Sequence, residues 1–233
     1  IGHRVYHDMR FDVRGKLAEF SLEKPVNTGA YLDVNDNIVY AEDGTVTQIM
    51  AASDIRLPGR HNIANYCTAI AAVWGLVPPE VIHHVANTFP GVEHRIEFVA
   101  EKKGVAYYND SKGTNPDAAI KGIQAMVKPT YLIGGGYDKG SIYDEWIDAF
   151  DGKVRCLVLI GQTAKKIAET AKKHGFHNIV FEDDLLGAVK YCHENAKDGE
   201  AVLLSPACAS WGMFDNYEQR GRMFKEYVRD FKE

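Results

Sequence analysis

The stretch "RCLVLIGQTAKKIAETAKKHGFHNIVFED" (residues 155–183) sets a strand-like apolar run, an amphipathic helical segment and a second strand-like run end to end. The same grammar continues on both sides. "TYLIGG" (130–135) precedes it, and "LLGAVKYCHENAK" (185–197) and "AVLLSP" (201–206) follow. Strands alternating with helices predict a largely parallel sheet with helices on both faces, because parallel neighbours need a crossover long enough to hold a helix. Upstream, "IEFVAE" (96–101) and "VAYYND" (105–110) flank Lys103-Gly104 and supply two further strands.

Before Gly91 the pattern is different. Residues 17–51 read as short strands and turns: "LAEFS" (17–21), "GAYLDV" (29–34) and "NIVYAEDGTVTQIM" (37–50), with Asp43-Gly44 as a hairpin signal. This part is expected to be antiparallel. After the break at Pro58-Gly59, "HNIANYCTAIAAVWGL" (61–76) places Ile63, Tyr66, Cys67, Ile70 and Trp74 at helical spacing, with Asn62 and Asn65 sharing a face near its start. "PPEVIHHVANTF" (78–89) opens a second helix with proline in its first turn. A boundary near residue 90 then separates residues 1–90, a partial α+β segment with a thin core, from residues 91–233, a Rossmann-like α/β domain of ordinary size.

The net charge of -5 gives no electrostatic footprint for nucleic acid or an anionic membrane, so an anionic ligand must be held by local cations. Cys67, Cys156, Cys192 and Cys208 form no CxxC pair, which fits reduced thiols in a cytoplasmic protein and argues against a zinc site. There is no apolar run of membrane-spanning length, and "IGHRVYHDMR" (1–10) is too polar for a signal peptide. A soluble, cytoplasmic protein is expected.

In an open α/β sheet, ligands sit beyond the carboxyl ends of the strands. Three unusual sequences fall there: "NDSKGTNP" (109–116) after "VAYY", "GGGYDKGS" (134–141) after "TYLI", and "SPACASW" (205–211) after "AVLL". Each carries a group able to hold an anion or a hydroxyl: Lys112 and Thr114, Lys139, and Ser205 and Ser210. Each also has a plainer reading. Asp110-Ser111 and Thr114-Asn115 suit a turn and a helix cap. Gly134 to Gly136 suit either a flexible turn or the close approach of a ligand or another backbone. Lys139 alone would be a solvated lysine. Three such loops on one rim favour a site.

Neither GxGxxG nor GxxxxGK[ST] occurs, so a dinucleotide fingerprint and a P-loop are both missing from these residues. The pairs His3/His7, His83/His84 and His174/His177 lack companions at ligand spacing and read as exposed histidines. Cys208, between alanines, reads as a buried small hydrophobe rather than a nucleophile.

"LPGRHNIAN" (57–65), "HRIEFV" (94–99), "NDSKGTNPDAA" (109–119), "GGGYDKG" (134–140) and "LLSPACASWGMFDNYEQRGRMF" (203–224) together resemble the Mur ligases, in order, from about residue 20 to the end. Residues 1–16 carry no such resemblance. The likeness is to the end of the family's central ATPase domain followed by its C-terminal Rossmann-like domain, and the P-loop lies in the earlier half of that central domain. It implies ATP-dependent amide formation in peptidoglycan precursor synthesis: ATP phosphorylates the terminal carboxylate of UDP-N-acetylmuramoyl-L-alanine, and the amine of D-glutamate attacks the acyl phosphate.

By motif, the resemblance assigns Asn62 and Asn65 to adenine, Arg95 to the phosphates, Asp110 to the ribose hydroxyls and Lys112 to a place beside the nucleotide. Thr114, Lys139, Ser210 and Tyr217 would contact D-glutamate, Tyr217 through its backbone N–H, and Arg220 is a further candidate cation. It implies ATP and magnesium in the intact enzyme, with metal ligands mostly outside these residues, small-molecule partners only, a monomer, and a hinge near Arg95. Residues 1–233 alone are expected to be inactive. Two other readings stay open: a ligase of the same superfamily with a different amino acid, such as a folylpolyglutamate-type enzyme, or a non-catalytic binding module.

Overall fold

A computed structural model describes residues 14–57 and 59–231. The His3/His7 pair and Pro58 lie outside the described residues. The chain divides between Pro90 and Gly91 into two compact units.

The first unit holds a four-stranded sheet, β1 (Glu19–Ser21), β2 (Gly29–Leu32), β3 (Asn37–Glu42) and β4 (Thr45–Ala51), in that spatial order. The turn at Asp43-Gly44 has both residues at positive φ, 50° and 76°, the geometry that matches the twist of a two-residue hairpin. β2, β3 and β4 pair antiparallel as expected. β1 departs from that expectation and runs parallel to β2, because residues 22–28 carry the chain back to its starting edge instead of closing a hairpin. Helices α1 (Arg60–Val73) and α2 (Pro79–Thr88) follow. Cys67 and Ile70 of α1, and Ile82 and Ala86 of α2, pack with Ala30, Ile38, Tyr40 and Met50 in one core.

The second unit is a six-stranded sheet. Its strands are β5 (Glu97–Lys102), β6 (Val105–Asn109), β7 (Thr130–Gly135), β8 (Val154–Ile160), β9 (Ile179–Phe181) and β10 (Ala201–Leu204), in the order β5-β6-β10-β7-β8-β9. β5 and β6 form an antiparallel hairpin through Lys103-Gly104, again both at positive φ. All other pairs are parallel.

The connecting helices are α3 (Pro116–Gln124), α4 (Asp144–Asp148), α5 (Ala164–Lys173), α6 (Leu185–Asn195) and α7 (Tyr217–Asp230). Ile123, Trp146, Ile147, Ile167 and Ala171, from α3, α4 and α5, pack with Leu132, Leu157, Leu159 and Leu203. Val189, Cys192, Phe224 and Val228, from α6 and α7, pack with Ile133, Val158, Ile160, Val202 and Leu204 on the opposite face. Successive strand residues thus serve opposite layers, which is why "CLVLI" and "AVLL" are continuous apolar runs. Short α4 was not separately expected. No helix among the described residues is long and apolar enough to cross a membrane.

Candidate functional site

The insertion of β10 between β6 and β7 makes the site. Leu204 pairs with Asn109 on one side and Ile133 on the other, so three strands end level with one another. After β6 and β7 the chain turns to the layer of α3 and α4, whereas after β10 it leads to α7 in the opposite layer. Diverging connections open a crevice at the carboxyl ends of such strands. The three loops singled out in the sequence are therefore the loops of one crevice.

The loops bind one another mainly through backbone. Asp110 N–H donates to Leu204 O (2.7 Å), Ser205 N–H to Ile133 O (3.2 Å), Gly135 N–H to Pro206 O (2.8 Å) and Tyr137 N–H to Ala209 O (3.0 Å). The glycine run has its physical reason here. Gly136 sits at φ 147°, where a Cβ would fall 2.4 Å from Ala209 O, and a Cβ on Gly134 would fall 2.8 Å from the Trp146 ring. The protein's own backbone and packing require these glycines. Asn115 caps α3 by accepting from Ala118 N–H (2.9 Å), so the plain reading of that residue also holds.

Lys112, half-buried on the β6 loop, has its ammonium 5.4 Å from the centre of the Tyr217 ring at the start of α7. Lys139, exposed on the β7 loop, has its ammonium 4.2 Å from the Trp211 ring of the β10 loop, and Tyr137 meets Trp211 edge-on. A cation over an indole face is held while its N–H donors stay available. Ser210 is buried, and its carbonyl accepts from Met213 and Phe214 N–H; Thr114 is half-buried, its N–H donating to Lys112 O. Asn216 caps α7 through Gln219 N–H (2.7 Å), which leaves the first-turn amides of Tyr217 and Glu218 without helical acceptors. Such amides favour an anion.

Asp110 is buried, accepting from Ser205 Oγ (2.7 Å) and from Ile96 N–H (3.3 Å). Burial pushes its carboxyl up to about 7, against the opposing pull of Ser205, Ile96 N–H, Arg95 and Arg220. Arg95 is exposed on a strained turn: His94 at φ 65° and β-branched Ile96 at φ 48° flank it. The turn is tied down by Glu97 Oε2, which accepts from His94 N–H (2.9 Å), and by His94 O, which accepts from Lys112 N–H (3.0 Å). Arg220 is fully buried, with its donors directed at Ser111 and Cys208. In the first unit, Asn65 Nδ2 donates to Asn62 Oδ1 (3.4 Å) on the opening turns of α1, so these two share a face as read from the sequence.

What this arrangement offers is binding, with no prepared nucleophile. Burial pushes the Cys208 thiol up, with hydrogen bonds to Thr163 and Tyr143 opposing, which makes it a packing group. Among the described residues, Glu93, His94 and Glu97 stand at metal-ligand spacing. The Lys225 ammonium already lies 2.5 Å from Glu93 and 2.9 Å from Glu97, and a histidine nitrogen is a poor ligand for a hard cation. The cluster does not fit magnesium, and no step is derived through it.

Sequence reasoning did not find Asn109, Ser111 or the Glu93–Glu97–Lys225 group. Asn109 Nδ2 reaches His94 Nδ1 (2.9 Å) and Glu97 Oε2 (3.1 Å), while Ser111 Oγ donates to Tyr217 O (2.8 Å). For Asn109, Ser111 and Glu97 the only signal was membership of the motifs already singled out; Glu93 and Lys225 lie just outside those motifs.

Residues 94–208 match the family described as "Mur ligase, glutamate ligase domain". The chain is 52% identical over 224 residues to a UDP-N-acetylmuramoylalanine–D-glutamate ligase of Lachnospira eligens, covering 96% of this chain and 50% of that protein. It is 45% identical over 229 residues to one of Caldicellulosiruptor bescii, covering 98% and 50%. The chain thus spans about half the length of the curated relatives it matches. Among solved structures, it is similar to the UDP-N-acetylmuramate–alanine ligase MurC of Thermotoga maritima, with TM-score 0.64 and 16% identity, covering 91% of this chain and 48% of that one. The bifunctional folylpolyglutamate synthase/dihydrofolate synthase of Yersinia pestis has TM-score 0.65 at 14% identity, covering 95% and 50%. At such identities the structures speak for the fold; the sequence relatives and the domain match establish that the chain belongs to the Mur ligase family.

Proposed function

We propose that the chain is the carboxyl-terminal part of an ATP-dependent ligase that joins D-glutamate to UDP-N-acetylmuramoyl-L-alanine in peptidoglycan precursor synthesis. Residues 1–90 are the end of its central ATP-binding domain and residues 91–233 its C-terminal domain. The enzyme works in the cytoplasm, as a monomer, on small molecules. The observation that carries this reading is the convergence of Lys112, Lys139 and the first-turn amides of α7 on the crevice at the ends of β6, β10 and β7.

D-glutamate brings two carboxylates to a second substrate that is itself a carboxylate and to a triphosphate. Fixed cations and oriented amides are needed to offset that repulsion. In this reading, Lys139 and the Tyr217 N–H take the carboxylates, with Thr114 and Ser210 lining the pocket. Arg95 faces the nucleotide phosphates, Asp110 its ribose, and Asn62 and Asn65 its adenine, with Lys112 beside the nucleotide. The alanine carboxylate oxygen attacks the γ-phosphorus and displaces ADP. The D-glutamate amine then attacks the acyl carbon, phosphate leaves with the bonding pair, and the amine gives up a proton. The chain's own residues bind and orient D-glutamate so that its nitrogen meets that carbon.

The test is the complete ligase carrying Lys139→Ala, assayed for D-glutamate-dependent phosphate release. KM for D-glutamate should rise by about tenfold or more, the scale of losing a charge-assisted contact. Wild-type kinetics would remove Lys139 from the pocket. An amino-acid screen of the same enzyme separates D-glutamate addition from a folylpolyglutamate-type activity.

A further inference from the structure

Arg220 is 1% exposed and sits where the three loops meet. Its Nε donates to Ser111 Oγ (3.0 Å) and its Nη2 to Ser111 O (2.8 Å), both on the β6 loop. Its Nη1 donates to Cys208 O (3.2 Å) on the β10 loop, and a Cβ built on Gly136 of the β7 loop would lie 3.5 Å from that same nitrogen. All these acceptors are neutral. Among the described residues, the guanidinium makes no ion pair within 4.0 Å. Asp110, the acid that acts on it through space, is itself held near 7 by burial and is only partly ionised at neutral pH.

A buried charge is ordinarily paired. This one also stands in the first turns of α7, where the helix dipole is positive and a cation is disfavoured. Two sources of positive potential therefore lie together: Glu218 in the first turn of α7 offsets the helix end, but among the described residues no carboxylate ion-pairs the guanidinium. We propose that Arg220 is a positioning residue that fixes the three loops and holds a positive charge beneath the crevice, for which the carboxylate of a bound ligand is the missing counter-ion. The guanidinium does not touch that ligand, since its fork is directed into the loops. This rests on the reading of the crevice as the D-glutamate pocket.

The experiment is a D-glutamate titration of the 233-residue chain, followed by thermal denaturation, for the wild type, Arg220→Met, Arg220→Lys and Lys139→Ala. D-glutamate should raise the wild-type midpoint. Arg220→Met should fold and lose affinity about tenfold or more, the size expected of a unit charge acting across several ångströms of protein. Arg220→Lys, which keeps the charge without the fork, should recover part of the loss.

Wild-type affinity in Arg220→Met overturns the proposal, as does an Arg220→Lys protein no better than Arg220→Met, since a purely structural fork would give that result. No midpoint shift in the wild type overturns it too. If Arg220→Met does not fold, Ser111→Ala replaces it: freed of its Oγ acceptor, the guanidinium loses its aim, affinity should fall several-fold, and unchanged affinity overturns the proposal. Lys139→Ala separates the two readings. Intact binding in Lys139→Ala with loss in Arg220→Met refutes the pocket contacts and leaves the counter-charge standing; the reverse refutes the counter-charge alone.

Discussion

The two units bury a β-sheet in different ways. In the first, α1 and α2 cover one face, and among the described residues the other carries a small cluster of Val26, Tyr31, Val39 and Ala41. In the second, both faces carry full helical layers, and Leu157, Val158, Leu159, Leu203 and Leu204 are wholly buried. A doubly covered sheet fixes its strand ends from both sides, and that is where the three loops are held. The difference shows why sequence motifs of such different composition can form one crevice: the strands beneath them cannot shift independently.

The largest expected effect tests that contrast. Leu157→Ala, in the thick core, should destabilise the protein by about 2–5 kcal/mol through lost transfer energy and a residual cavity. Val39→Ala, in the four-residue cluster, removes less side chain from a thinner layer and should cost less, about 1–2 kcal/mol. Urea unfolding followed by tryptophan fluorescence measures both, with Trp74 reporting the first unit and Trp146 the second. Equal costs for the two substitutions would break the comparison.

Next in size is Asp110, whose burial is a product of the second unit's closed rim. Its folded pKa of about 7 lies above the ordinary unfolded value, so the folded state holds the proton more tightly. The resulting stabilisation is full below the unfolded pKa, near 4, and is lost as pH rises through about 7. The fall amounts to something on the order of 4 kcal/mol. Asp110→Asn has no proton to lose, so its stability relative to wild type should improve between pH 5 and pH 8. Urea titrations at both values check the direction. A difference that stays constant with pH would mean that the carboxylate is solvated, and that the rim is looser than its hydrogen bonds indicate.

Much of the second unit was legible because doubly buried strands leave continuous apolar runs, and Lys103-Gly104 marks its one hairpin. The direction of β1 was not, since a three-residue strand carries no record of which way its connection returns. Nor was the place of β10 between β6 and β7, which depends on pairing residues nearly a hundred positions apart. At the site, Lys112 and Lys139 stood out as cations in glycine-containing turns. The engagement of Arg220 was hidden because its partner Ser111 lies 109 residues away. The glycine run was ambiguous for a related reason: a nearby backbone and a nearby ligand call for the same residue, and only the fold brings Ala209 O up to Gly136.

The smallest effect compares surface histidines. In the first unit, His83 Nε2 lies 3.0 Å from the single carboxylate of Asp54. In the second, His174 bridges two, with Nε2 2.9 Å from Asp144 and Nδ1 2.6 Å from Asp148, stapling the end of α5 to α4. The hydrogen bonds to Asp144 and Asp148 raise the His174 pKa, and His174 in turn lowers that of Asp144. A folded histidine pKa above the unfolded value means that the staple is at full strength below about 6.5 and fades as pH rises through the raised value. His174→Gln should therefore lower the melting temperature slightly at pH 5.5 and scarcely at all at pH 8.5, and His83→Gln, which removes a hydrogen bond to one carboxylate instead of two, should cost less. Melting curves of the two variants at both pH values decide it. A His174→Gln deficit that persists at pH 8.5 would show that the ring holds the two helices by packing, with its charge contributing nothing.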